Sequence, residues 1–291
     1  MAGHLLVKQS QLVSKLNERI EHGDKKLHIR KVTSASLLGA CRRFLAQNPI
    51  ANVLPLGDLY PPLLRVSDVY SAVKNSQVVG VCTIYRAFST PSIVFGTAAP
   101  EIKQALVEKA ITKISDEFIS LCQTDDVDLF KKYSTILHFH LEQQMIADPP
   151  KKIDCGDVNV KKVTQNELES LNKFYHDHHA EAWAPIQFRA GPYYCVKQEG
   201  KIVSAAGVHL VAPQIAQLGN IITDEAYRNR GFATACTNTL AADLASKGRV
   251  ISLFVRTDNA PAIHIYEKLG FYKSRDIAFL VMRKMGEHAS A

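Results

Sequence analysis

From Val158 onward, the spacing of apolar and polar residues switches repeatedly between two periods. Val158-Asn159-Val160-Lys161-Lys162-Val163 alternates as a half-buried strand does, and Glu167 to His179 then sets Leu168, Leu171 and Phe174 at helical spacing. Pro192 to Lys197 and Lys201 to Val211 are strand-like runs joined at Glu199-Gly200, a hairpin signal. Gln214 to Thr223 is another strand, followed by a helix over Ala233 to Ser246 and a strand over Val250 to Val255. A short helix over Ala260 to Leu269 and a strand over Ala278 to Arg283 close the chain. The order β, α, β, β, β, α, β, α, β predicts an α/β (α+β) layer in which helices cover a mixed sheet.

The amino half echoes this order. Tyr70-Ser71-Ala72-Val73-Lys74 resembles Tyr193-Tyr194-Cys195-Val196-Lys197, and each precedes a turn and an apolar strand carrying Gly80 or Gly207. Strands over Ser92 to Gly96, Glu117 to Cys122 and Thr135 to Leu141 follow, with helices over Glu101 to Ile114 and Val127 to Tyr133 between them. The pattern reads as a diverged internal duplication or as chance convergence of hairpins. Met1 to Ile20 reads as an amphipathic helix, because Lys8, Lys15, Glu18 and Arg19 interrupt the apolar run that a signal peptide would need. Asp148-Pro149-Pro150-Lys151-Lys152 is the strongest punctuation and places a boundary between domains 1–150 and 151–291.

Composition adds little beyond this frame. A length of 291 residues suits two domains, and 46% hydrophobic with 22% charged residues is ordinary for globular chains. No apolar run approaches a membrane span. Six scattered cysteines, without a Cys-x-x-Cys pair, suit reduced thiols in a cytoplasm. The net charge of +7 is spread over both halves without a basic stripe, so the expectation is mild attraction for anionic ligands, with no nucleic-acid and no membrane partner.

The stretch Arg228-Asn229-Arg230-Gly231-Phe232-Ala233 lies between a strand and a helix. A glycine there lets several backbone N–H groups converge at a helix N-terminus, where partial positive charge favours a phosphate. Arg228 and Arg230 add full charges, although a solvated basic turn would look the same. A second stretch, Asn259-Ala260-Pro261-Ala262-Ile263-His264-Ile265-Tyr266-Glu267-Lys268-Leu269-Gly270-Phe271, follows after one helix and one strand. Its asparagine suits a helix cap, Pro261 the first turn and Gly270 the C′ position.

Together the two stretches resemble the signature motifs of the GNAT (GCN5-related N-acetyltransferase) superfamily, over roughly the last 130 residues. The resemblance implies two tandem GNAT-like domains, each a mixed, mostly antiparallel twisted sheet flanked by helices, with a degenerate first copy. It implies an acetyltransferase that carries an acetyl group from acetyl-CoA, as co-substrate, to a primary amine of a small molecule or a protein. Coenzyme A would be held by Arg228, Asn229, Arg230, Gly231, Phe232, Ala233 and Thr234 at the pyrophosphate, and by Ile221, Ile222, Thr223 and Asn259 along the pantetheine arm. Tyr266 would protonate the departing thiolate, its plainer alternative being a core tyrosine. The tandem arrangement is loosely similar to glycine N-acyltransferase-like proteins, which use other acyl groups. A homodimer is left open.

The chemistry also asks for a base, because an amine near pKa ~10 must lose a proton before it attacks. Gln214 to Thr223 carries no carboxylate; Asp224 and Glu225 lie just past it, and His209 sits on the preceding strand. His176-Asp177-His178-His179, with Glu181 and Trp183, falls where the family places an acceptor-lining loop, and its His spacing lacks the i, i+4 pair of a helical metal site. No metal is expected. His138-Phe139-His140 reads as structural. In the amino half, Pro100, Glu101, Asp125 and Asp126 stand where a cofactor would bind, so one coenzyme A per chain is expected. The rival function is an acyl-CoA sensor that binds without turnover.

Overall fold

The computed structural model describes residues 26–286; the helix expected over Met1 to Ile20 lies outside them. The amino half supplies strands β1 (His28–Lys31), β2 (Ser67–Lys74), β3 (Gln77–Tyr85), β4 (Ser92–Phe95), β5 (Glu117–Cys122) and β6 (Ser134–Ala147). The carboxyl half supplies β7 (Val160–Lys162), β8 (Tyr194–Gln198), β9 (Lys201–Val211), β10 (Ile215–Thr223), β11 (Val250–Arg256) and β12 (Tyr272–Lys284). All twelve join one sheet in the order β1-β2-β3-β4-β5-β12-β6-β11-β10-β9-β8-β7. Pairing is antiparallel throughout except for β4 with β5 and β10 with β11, so the sheet is mixed, as the residue pattern predicts, and mostly antiparallel, as the resemblance implies.

That order is symmetric about the centre. Each half runs its first five strands inward from an edge of the sheet, and each sends its last strand across to the other half. β12 pairs with β5 from Ala278↔Cys122 to Arg283↔Glu117, whereas β6 pairs with β11 from Ile251↔Ala147 to Arg256↔Glu142. β6 and β12 also pair with each other, from Tyr272↔Ile146 to Lys284↔Ser134. The exchange needs long strands: β6 continues past Leu141 to Ala147, and β12 begins at Tyr272 rather than Ala278. The related hairpins turn at Asn75-Ser76 and Glu199-Gly200, and in each both residues have positive φ, which matches the twist of the flanking strands.

Helices follow the same duplicated plan. Pro100–Ile111 and Phe232–Ala245 connect the parallel pairs, and Asp128–Lys131 and Ala260–Lys268 precede the exchanged strands. Leu168–Asp177 enters through a capping box, in which the Glu167 carboxylate accepts from the Thr164 amide at 2.8 Å. The strand β1 and the helices Ala35–Leu45 and Val53–Asp58 escape the pattern reading. Val53–Asp58 is buried at Val53 and from Pro55 to Asp58, so it shows no amphipathic stripe.

Two cores are each completed by the exchanged strand of the other half, Met145 and Ala147 in one and Ala278, Leu280 and Met282 in the other, and a third joins the halves: Cys41, Leu45, Val53, Leu56, Leu59 and Tyr85 pack with Leu210, Ala212 and Ile215. A polar clasp crosses the centre as well. Arg275 of β12 donates to Gln144 Oε1 and to the Ala51 carbonyl, both at 2.7 Å, and Gln144 donates to Ser252 Oγ at 3.0 Å. Burial lowers the Arg275 pKa, yet the guanidinium is held by these acceptors.

Candidate active site

The central opening begins in the ladder of β10 and β11. Their parallel pairing runs from Ile215↔Val250 to Leu218↔Leu253 and stops, although β10 continues to Thr223 and β11 to Arg256. On its other edge β10 bulges between Gly219↔Gly207 and Ile222↔Ala205, with Asn220 at φ 54°. The buried Tyr175 donates its hydroxyl to the Asn220 carbonyl at 2.8 Å and pins the bulge. His209 lies directly over Gly219, where a Cβ would come within 2.0 Å of the ring, so only glycine fits. The splay was expected from the resemblance; the bulge was not.

Beyond Thr223 the chain makes the turn that Asn229 and Gly231 permit, at φ 62° and 75°. The Phe232–Ala245 helix starts without a side-chain cap or an acidic residue in its first turn. Its first intrahelical bond is the Ala235 N–H to the Gly231 carbonyl at 2.9 Å, which leaves the amides of Phe232, Ala233 and Thr234 as free donors. These amides border a cleft of about 840 Å³, lined by Ile221, Ile222, Thr223, Arg228, Asn229, Gly231, Phe232, Ala233, Thr234, Asn259 and Tyr266 among others. The size falls within the usual range of ligand clefts.

Every residue expected to bind coenzyme A therefore borders this cleft except Arg230. That guanidinium stacks over Tyr227 at 5.1 Å, and Arg228 is ion-paired with Glu225 at 3.0 Å on the exposed surface. Asn259 fulfils its capping role, accepting from the Ala262 N–H at 3.3 Å, and its carboxamide NH2 makes no hydrogen bond among the described residues. Tyr266 is buried against the cleft, and burial pushes its hydroxyl up to about 12, so it is a proton-bearing donor at neutral pH.

The histidine run separates. His176 is exposed, whereas His178 lines the cleft with Nδ1 at 2.7 Å from the Phe174 carbonyl and Nε2 at 3.2 Å from Asp224. Trp183 packs on Tyr175 and Tyr193, and its indole N–H donates to Asn172 at 3.1 Å. No cluster of three metal-ligating side chains forms among the described residues. His138 and His140 lie 3.2 Å apart, and His140 stacks on Phe279.

A second cavity, of about 270 Å³, meets the cleft along β10. Gln217 to Asn220 line the cavity, and Ile221 to Thr223 line the cleft. The cavity holds carboxylates that the reading of β10 missed, because both come from the amino half. Asp58 ends the Val53–Asp58 helix and Glu142 lies on β6. Thr83 donates to Asp58 at 2.5 Å, but burial wins and raises the Asp58 pKa to about 7. Glu142 lies 3.1 Å from His140 Nε2. His209 also lines the cavity, and burial lowers it to about 4, so its ring is neutral. The lone acid of the apolar run Val53-Leu54-Pro55-Leu56-Gly57-Asp58-Leu59 was the available signal for Asp58.

Residues 162–271 match the acetyltransferase (GNAT) family, and this segment is a GNAT acetyltransferase domain. No curated protein matches the chain. Among solved structures, a Drosophila protein superposes with a TM-score of 0.67 at 10% identity, over 90% of this chain and 99% of its own. A tandem GNAT protein from the clavulanic acid biosynthesis pathway gives 0.56 at 12% identity, over 89% and 98%. An acetyltransferase from the GNAT family of Colwellia psychrerythraea gives 0.54 at 14% identity, over 89% and 100%. At such identities the likeness is one of fold, and it extends through both halves.

Proposed function

We propose that the protein transfers an acetyl group from acetyl-CoA to a primary amine by direct attack in a ternary complex. The observation that carries this reading is the junction on β10, where a cleft with free helix amides meets a cavity containing two carboxylates. The pyrophosphate would lie against the amides of Asn229 to Thr234, and the pantetheine arm would pair with the unladdered backbone of Ile221 to Thr223. The amine nitrogen, having given a proton to a base, attacks the thioester carbonyl carbon. The nitrogen then gives up its second proton to solvent, and as the tetrahedral intermediate collapses the C–N bond remains, the C–S bond breaks and the sulfur leaves with its electron pair.

Tyr266 serves the sulfur. A phenol at about 12 lies above the ordinary thiol range, so its main contribution is a hydrogen bond to the developing thiolate, with the proton finally supplied through exchange with water. The carboxylates of the adjoining cavity offer candidate bases that β10 itself lacks, which favours turnover over a sensor that only binds. All six cysteines are free in the structure, in keeping with a reducing cytoplasm.

The test is thiol release from acetyl-CoA in the presence of a panel of primary amines, run beside longer acyl thioesters to set the acyl range. Amine-dependent release with acetyl-CoA as the preferred donor is expected. Acetyl-CoA should also raise Tm by mass action. A raised Tm without release for any amine would return the sensor reading, and no change at millimolar ligand would dismiss both.

A further inference from the structure

The cavity between the halves contains polar atoms that the fold itself leaves unanswered. Tyr85 is 5% exposed and Gln217 1%, both line the cavity, and neither Tyr85 Oη nor Gln217 Oε1 has a hydrogen-bond partner among the described residues. A buried polar group without a partner is desolvated for nothing in return, so two around one cavity point to an absent ligand. His209 Nε2 is a third such atom on the same lining, and the Asp58 carboxylate, whose Oδ2 accepts from Thr83, lines the cavity as well.

The rest of the lining decides what that ligand is. Its walls are mainly apolar, from Leu54, Leu63, Phe88, Leu121, Phe254 and Phe279, and its charged members are the acids Asp58 and Glu142. Among the described residues, no lysine or arginine lines it. A ligand carboxylate would be desolvated beside like charges with no cation to pair, whereas an ammonium group would meet acceptors. A cavity of roughly 150 Å³ accommodates benzene, so the volume of about 270 Å³ suits a body somewhat larger than a single ring.

We infer that this cavity is the acceptor pocket and that it selects small primary amines with an apolar body and no carboxylate, through acidic groups supplied by the amino half. The inference rests on the acyltransfer reading for what happens to the amine, but not for the binding itself. The amino half thereby acts as the specificity element of a reaction whose cofactor it does not hold. Asp58 is a binding residue in this scheme, and Tyr85 and Gln217 orient the ligand by hydrogen bonds.

Matched pairs test it. Calorimetric titration of the full chain, with and without saturating coenzyme A, would compare 2-phenylethylamine with phenylalanine and isopentylamine with leucine. Each amine should bind at least about tenfold more tightly than the amino acid carrying the same body. Asp58→Asn, which keeps an acceptor for Thr83, should weaken amine binding by about tenfold or more while leaving acetyl-CoA affinity within about twofold. Tyr85→Phe gives a second, nearly isosteric probe and should weaken the amine by a few-fold. Equal binding of an amine and its amino acid, failure of every amine to bind, or full amine affinity in both variants would overturn the pocket assignment. Amine-dependent thiol release persisting alongside any of these results would leave the acyltransfer reading intact. Loss of acetyl-CoA binding by the wild type would instead strike at that reading.

Discussion

The two strand-to-helix junctions share a topology and differ in what fills them. In the carboxyl half, Asp224 to Gly231 separate β10 from its helix, two residues of that turn adopt positive φ, and three amides are left free at the edge of an 840 Å³ cleft. In the amino half only Gly96 to Ala99 intervene, Pro100 removes a donor and Glu101 adds a negative charge. Asn52 already accepts from the Thr97 amide at 2.8 Å. The space beneath is plugged by Lys103, whose Nζ lies 2.8 Å from both oxygens of Asp126 and 5.8 Å from the centre of the Phe95 ring, leaving about 30 Å³. One sheet topology thus carries an open helix N-terminus beside a cleft in one half and a short turn over a buried ion pair in the other, while the amino half contributes walls to the cavity along β10.

The sharpest contrast is in stoichiometry. Calorimetry with coenzyme A should give one site per chain, and two equivalent sites would end the comparison. Next in size is the plug itself. Asp126→Ala strands the Lys103 charge in the interior and should cost about 3–5 kcal/mol in urea unfolding, whereas the double change Lys103→Met with Asp126→Leu should recover most of it. An Asp126→Ala variant of wild-type stability would show that the pair is dispensable filling.

Asp58 supplies a pH test of the amino half's acid. Its pKa is raised on folding from the ordinary carboxyl range to about 7. The native state therefore binds the extra proton, and the stability this contributes is present below about pH 4 and is lost as pH rises to about 7. Asp58→Asn should match wild type near pH 4 and exceed it by roughly 2–4 kcal/mol at pH 8. Chemical unfolding at the two pH values checks this, and an equal difference at both would show that Asp58 ionises freely.

Within the cleft, Tyr266→Phe should lower kcat about 10²-fold with coenzyme A affinity nearly unchanged, provided chemistry limits turnover. An unaltered single-turnover rate would make Tyr266 a core residue. The smallest expected change in stability comes from Asn259→Ala, about 1 kcal/mol for the lost cap, set against a clear loss in coenzyme A affinity. If stability alone responds, Asn259 is only a cap.

Local order was largely written in the chain. The period changes after Val158 foretold the strands and α-helices of the carboxyl half, though not the 3-10 turns Pro185–Arg189 and Glu225–Tyr227 or the first half of β12, since periodicity reports which face an element buries. The glycine turn and the Asn259 to Phe271 stretch likewise carry their conformations in their own residues, through the positive φ of Gly231 and the cap of Asn259. Long-range choices were not legible in this way. Which strand β12 would join, and that β6 would extend to Ala147 beside β11, depended on partners more than a hundred residues away. For the same reason Asp58 and Glu142 could not be matched to β10 by spacing: their burial, and the raised pKa of Asp58, exist only once the two halves close around one cavity. Sequence determined the elements and the glycine turn that lines the cleft because those follow from local sterics and hydrogen bonding; the acid-lined cavity was decided by tertiary structure, where desolvation and charge act between groups that only folding brings together.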